Sequence, residues 1–229
     1  MLSPAEIEAL LLSLRIAGVA VLIGLPFAAA LGLALAHPRM PAKTLIGGIA
    51  YLPLILPPVV IGYLLLVILG QRAPLGAFLY ETFGLSLIFD WKGAALAAAL
   101  VAFPFQVRAI RIAAEAIDPG LTQAAASLGA GPLDRLFSVT LPLASPGILA
   151  GAITAWAAAL GEFGAIITFV SNIPGETRTL PLAIYSAIQS PGGEAAAARL
   201  VTISILLALA GLFASELAGR GLMRLTGRR

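Results

Sequence analysis

Few side chains in this sequence could do chemistry, and their types narrow the field quickly. Among 229 residues, 14 are Lys or Arg, 11 are Asp or Glu, one is His and none is Cys. Without cysteine there is no disulfide, thiolate zinc cluster, iron–sulfur centre or thiol nucleophile. The lone His37, followed by Pro38, lacks the companions a metal site requires and reads as an ordinary loop residue. No G-x-S-x-G elbow or Ser-His-Asp set is available for covalent catalysis, and no G-x-x-x-x-G-K-[ST] sequence is present to cradle a phosphate. The most informative ionisable residue is Glu162, inside the apolar stretch Leu160-Gly161-Glu162-Phe163-Gly164-Ala165. Charge at membrane depth is costly unless it faces a cavity or a partner group. Two roles stay open for Glu162: a structural one, hydrogen-bonded to backbone or protonated, and the lining of a gate. Arg15 and Arg178 have the sign to meet an anion. Arg178 is expected in a solvated external loop, where Glu176, Thr177 and Arg178 are candidates for contact with an external partner.

The elements that must position these residues follow from composition. The chain is 60% hydrophobic and 11% charged, with a mean hydropathy of +1.01, whereas soluble domains carry about 25% charged residues. It reads as all-α and membrane-integral, a single transmembrane domain over residues 1–229 with its core at about 6–218. A hydrocarbon core of roughly 30 Å needs about 20 mostly apolar residues per helix, and five stretches qualify: 10–36, 44–70, 93–112, 143–170 and 200–219. Glu6 and Glu8 stand where a secretory signal would be cationic, so the first stretch is expected to be a retained span. Ser3-Pro4-Ala5-Glu6 has the capping-box pattern that starts a helix. Five spans put the termini on opposite sides.

Cationic loops stay in the cytoplasm. Arg39, Lys43, Arg108, Arg111, Arg135, Arg220, Arg224, Arg228 and Arg229 fall on one side, against Arg15, Arg72, Lys92, Arg178 and Arg199 on the other. The bias predicts an external N-terminus, a cytoplasmic C-terminus and a cytoplasmic loop over 113–142. The cations are scattered, so the net charge of +3 speaks for orientation rather than nucleic acid. Small residues recur at every fourth position in two spans, Gly24, Ala28, Gly32, Ala36 and Gly147, Gly151, Ala155, Ala159. Such ladders admit close helix packing in lipid, within the chain or with another copy, although Ala and Gly are also simply abundant here. Pro26, Pro53, Pro57, Pro58 and Pro104 each remove a backbone donor, which is tolerated at membrane depth where protein or a water-lined cavity satisfies the freed carbonyl. A pathway between kinked helices follows.

One segment interrupts the apolar runs. Asp118-Pro119 supplies an N-cap and a first helical residue, Leu121, Ala125 and Leu128 share a face, and Gly129 ends the turn. A second start follows at Gly131-Pro132, with Leu133, Leu136 and Phe137 on one side, and Leu141-Pro142 is expected to redirect the chain into the fourth span. Such a helical knob could lie on the membrane surface or plug a groove in another protein.

At this point the residues resemble a family. Gln123, Ala124, Ala125, three residues, Gly129, nine residues, Val139, Thr140, Leu141, Pro142 is similar to the EAA loop of the membrane subunits of ATP-binding-cassette importers. Gln123 stands in place of its acidic residue and Val139 in place of isoleucine. The segments from Tyr51 to Val60, from Leu160 to Ala165 and from Ser171 to Thr179 look like those of molybdate permease subunits. The resemblance implies the type I importer permease fold, with the loop as a coupling helix whose Gln123, Ala124, Ala125, Gly129, Val139, Leu141 and Pro142 dock on an ATPase subunit. It implies a homodimeric pore in a bacterial inner membrane, with Glu162, Phe163, Gly164, Pro57 and Pro58 at the pathway or gate, and an external oxyanion-binding protein as donor. This chain is expected to bind no cofactor, ATP and Mg residing on two partner ATPase subunits. Related sulfate permeases carry similar text near Glu162, so sulfate or tungstate is the alternative cargo. A channel or carrier working alone would be expected to show more intramembrane acids or a repeat, and an intramembrane enzyme would need a catalytic set that is missing.

Overall fold

Ser3 opens the first helix through the expected capping box: its hydroxyl accepts from the Glu6 N–H (3.3 Å) while the Ser3 N–H donates to the Glu6 carboxylate (2.6 Å). The computed structural model describes residues 2–225, and these are helical with no strand. Arg228 and Arg229 of the cationic set lie outside the described residues, as do the side chains of Arg220 and Arg224.

Among the described residues four long helices are apolar enough to cross a membrane. They are α1 (Pro4–Ala36), α5 (Trp91–Glu115), α8 (Leu141–Leu160, continuous with the turns before it) and α11 (Glu194–Leu225). The fifth expected span, 44–70, is not a single rod. It divides into α2 (Lys43–Ile55) and α3 (Pro58–Leu69), which meet at an angle of 108°. Pro57 and Pro58 cannot donate to the preceding turn, so α2 ends at Ile55, capped by Leu56, and α3 restarts with Pro58 at its first position. The expected span 143–170 is also interrupted, α8 stopping at Leu160 and α9 occupying Gly164–Val170. Two further short helices, α4 (Pro74–Phe83) and α10 (Leu180–Gln189), form the connections.

Helix α5 is the centre of the bundle, with α1 against one side and α8 against another. The two small-residue ladders make this possible. A Cβ on Gly32 would sit 3.0 Å from Ile110 Cβ, and one on Gly24 would meet the Gln106 amide at 2.7 Å. From the other side, a Cβ on Gly151 would lie 3.0 Å from Ala109 Cβ, and Gly147 faces Ala113. Both ladders are therefore contacts within the chain, and both press on the alanine-rich α5. Buried Gln106 is satisfied across the first seam, its Nε2 donating to the Val21 carbonyl at 3.2 Å.

The contacts also give relative directions. Gly24 and Gly32 meet successively later residues of α5, so α1 and α5 run parallel, whereas Gly147 and Gly151 meet successively earlier ones, so α8 runs opposite. Glu6 near the start of α1 holds Arg199 near the start of α11 at 2.7 Å, which puts those two beginnings together. Arg15 lies over the Trp91 ring at 3.6 Å from its centroid, so α5 begins near the same end of the bundle. The segment 113–142 lies at the opposite end.

Candidate functional site

Three features carry the predicted site residues. The first is the pair of helix breaks. Glu162 is 6% exposed and its Oε1 accepts from the Ala165 N–H at 2.7 Å, so the carboxylate caps the first turn of α9 where backbone donors would otherwise be unpaired. The capping contact favours the structural role among the two left open by sequence. Helix α9 packs on α3. A Cβ on Gly62 would lie 2.6 Å from the Ala165 carbonyl oxygen, and one on Gly164 would lie 3.0 Å from Pro58 Cβ and 3.3 Å from the Val59 side chain. Phe163 packs on Tyr185 of α10, the ring centroids 5.2 Å apart and the planes tilted by 59°. Pro58 and Glu162 to Gly164, far apart in sequence, thus form one cluster, with Pro57 beside it at the α2–α3 break. Pro57 and Pro58 remain exposed in the single chain.

The loop beyond α9 is more ordered than the sequence implied. Thr177 is wholly buried, which corrects its assignment to a partner contact. Its hydroxyl donates to the Ser171 carbonyl (3.0 Å) and accepts from the Ile173 N–H (2.9 Å), closing the turn. Arg178 is also not free in solvent, because its Nε donates to Asn172 Oδ1 at 2.9 Å and Asn172 in turn holds Ser186 of α10. Glu176 is exposed. Arg15 is held on Trp91 as described above.

The second feature is the knob at the other end. Asp118 accepts from the Gly120 N–H at 2.8 Å and starts α6 (Pro119–Ser127). Gly129 then adopts φ +90°, a left-handed value that a side chain would disfavour, and Gly131 caps α7 (Pro132–Arg135). These starts and stops match the sequence expectation. The exit does not. A π-helical segment, Leu136–Thr140, links α7 to α8 without a turn, and Leu141-Pro142 continues the helix. The wide π turn accommodates a proline that has no N–H to give an ordinary α turn, and Val139 lies within that segment. No residue of α6 or α7 is buried. Leu128 is 90% exposed, Leu133 70% and Phe137 66%, while Gln123 and Ala124 are exposed and Ala125 half-buried.

The third feature was missed by sequence reasoning, which used Arg108 and Arg111 only for orientation. Both line a groove of ≈ 430 Å³ between α2 and the last turns of α5, walled by Tyr51, Leu54, Ile55 and Ile112. Glu115 in the same groove is bound by Arg111 Nε at 2.9 Å and Lys43 Nζ at 3.3 Å. Among the described residues Arg108 has no hydrogen-bond or ion-pair partner, although it lies on the face of α5 that holds Arg111.

A multi-span helical bundle with interrupted helices and an exposed apolar knob has the architecture of a membrane permease. The chain belongs to the family of binding-protein-dependent transport system inner membrane components, which it matches over residues 24–223. It is 53% identical over 219 residues to the molybdenum transport system permease protein ModB of Escherichia coli K12, with 96% of each chain covered. It is 51% identical over 223 residues to the ModB protein of Haemophilus influenzae, with 97% of each covered. Its fold is that of the membrane chain in inward-facing structures of the MetNI methionine ABC transporter, with a TM-score of 0.75 at 18% identity over 97% of this chain and 99% of that one.

Proposed function

We propose that this chain is the membrane-spanning subunit of an ATP-driven molybdate importer. The observation that carries the ATP-driven part is the knob: a sequence without a phosphate loop presents Leu128, Leu133 and Phe137 to a partner at one end of its bundle. The relatives at 53% and 51% identity, which are molybdenum permeases, supply the cargo. Two copies form the pore, and two ATPase subunits, which hold ATP and Mg, dock on Gln123 to Gly129 from the cytoplasm. An external binding protein delivers the oxyanion to the end that carries Glu176. The N-terminus is outside and the C-terminus cytoplasmic, in a bacterial inner membrane.

In this reading Pro57, Pro58, Phe163 and Gly164 line or frame the gate. Glu162 positions it by capping α9, since a bare carboxylate would repel a dianion if it lined the path directly. ATP-driven closure of the ATPases brings the two knobs together. The continuous helix from Pro132 to Leu160 then transmits that movement to α9 and, through Gly62 and Gly164, to α3.

The test is reconstitution of this chain with its ATPase and binding protein in vesicles, with ATP hydrolysis and uptake measured under molybdate, tungstate and sulfate. Molybdate-loaded binding protein is expected to stimulate both. Stimulation by sulfate alone would replace the cargo, and uptake without any ATPase would overturn the ATP-driven reading.

A further inference from the structure

The groove between α2 and α5 offers a place for the cargo itself. Arg108 lies about 10 Å along the helix from Glu115 at the end of α5, taking 1.5 Å per residue, and so within the depth of a hydrocarbon core. An ionisable group there is costly unless it faces water or a counter-charge. The groove wall beside it is apolar apart from Arg111 and the Tyr51 hydroxyl that pairs with Arg111, and among the described residues the only carboxylate lining it, Glu115, is already bound by Arg111 and Lys43. Among the described residues three cations thus stand against one carboxylate, and the Arg108 guanidinium has no hydrogen-bond or ion-pair partner. A guanidinium presents paired donors that match two oxygens of a tetrahedral oxyanion. Apolar walls strengthen that attraction relative to open water. The groove volume of ≈ 430 Å³ is many times the ~30 Å³ share of one water molecule. Leu54 and Ile55 on its wall are separated from Pro57 and Pro58 only by Leu56, so the groove leads from the α2–α3 break toward the end that bears the knob.

We propose that Arg108, backed by Arg111 and Lys43, is a weak site for the transported tetrahedral oxyanion between the helix breaks and the cytoplasmic exit. The proposal rests on the transport reading above. One free guanidinium, rather than a cage of donors, suits a waypoint: a translocation site must attract its ion yet release it.

The experiment uses vesicles holding permease, ATPase and binding protein, and reads ⁹⁹Mo-molybdate uptake together with ATP hydrolysis. Arg108→Gln is expected to lower the molybdate moved per ATP at least tenfold, and Arg108→Lys to lower it less. Arg39→Gln, which removes an exposed cation outside the groove, is expected to keep the wild-type ratio. A wild-type ratio for Arg108→Gln would overturn the proposal. Equilibrium binding of ⁹⁹Mo-molybdate to the purified permease–ATPase complex, without binding protein, covers the case in which Arg108→Gln misassembles. There Arg108→Lys should bind more weakly than wild type, and equal binding would overturn the site. The same anion chemistry could serve a lipid phosphate. A defect confined to vesicles containing phosphatidylglycerol, absent in phosphatidylcholine alone, would assign Arg108 to lipid and overturn the proposal. Failure of the wild type to import any oxyanion would instead overturn the transport reading.

Discussion

The cluster at the helix breaks and the knob at the opposite end are both short helices flanked by Pro and Gly, yet they are held in opposite ways. In the cluster, α3 and α9 close on each other through Gly62 and Gly164, and Glu162, Ala165 and Ile166 are buried. In the knob, no residue of α6 or α7 is fully buried. Their shape comes from Asp118, the φ of Gly129 and the Gly131-Pro132 start, all local devices. A region shaped by tertiary contact needs the rest of the chain to exist. A region shaped locally leaves its leucines in the open, and in the proposed reading these are what the ATPase subunit covers.

The largest expected effect breaks the first region. Gly62→Leu must displace the Ala165 backbone, and overpacking a tight seam costs about 1–3 kcal/mol and sometimes more. A marked loss of thermal stability in detergent is expected, with uptake lost. An unchanged melting temperature would show that α3 and α9 are not locked together. The knob should behave in the reverse manner. Leu128→Ala and Ala125→Trp are expected to leave the melting temperature within the change typical of surface sites, about 0.5 kcal/mol. Each should weaken capture of the ATPase subunit about tenfold or more, in the range of interface anchors. Normal assembly of both variants would refute docking at this face.

Smaller effects sharpen the comparison. Glu162→Ala removes a cap and is expected to cost about 1 kcal/mol of stability, while Glu162→Gln keeps an acceptor and should recover most of it. Equal loss in both would mean that the carboxylate charge, not the capping contact, matters. Gln123→Glu restores the acidic residue of the EAA pattern at an exposed position. It should shift stability by less than about 0.5 kcal/mol and alter ATPase affinity only modestly, measured by titration of the complex. A large change there would make position 123 an ionic anchor.

Helix starts and stops were legible where they depend on neighbours in sequence. The Ser3 capping box, the Asp118-Pro119 start and the left-handed Gly129 are all present, because each is satisfied within a turn or so of chain. Hydropathy likewise located the long spans, since a helix in lipid satisfies its own backbone. The prolines marked 53–58 as irregular but carried no angle. The turn of 108° is accompanied by contacts between Pro58 and Gly164 and between Gly62 and Ala165, about a hundred residues apart. Thr177 looked like a surface residue beside Glu176, and only the fold of its loop turned the hydroxyl inward.

The sequence by itself therefore determined the helical membrane class, the local form of the knob and the lack of any phosphate loop, because these are properties of composition and short-range spacing. Tertiary structure decided which partners the small-residue ladders met, the meeting of the two breaks, the capping role of Glu162 and the placing of Arg108 in a groove with Arg111 and Glu115. Those depend on which helix faces which, and that is set when distant surfaces pack.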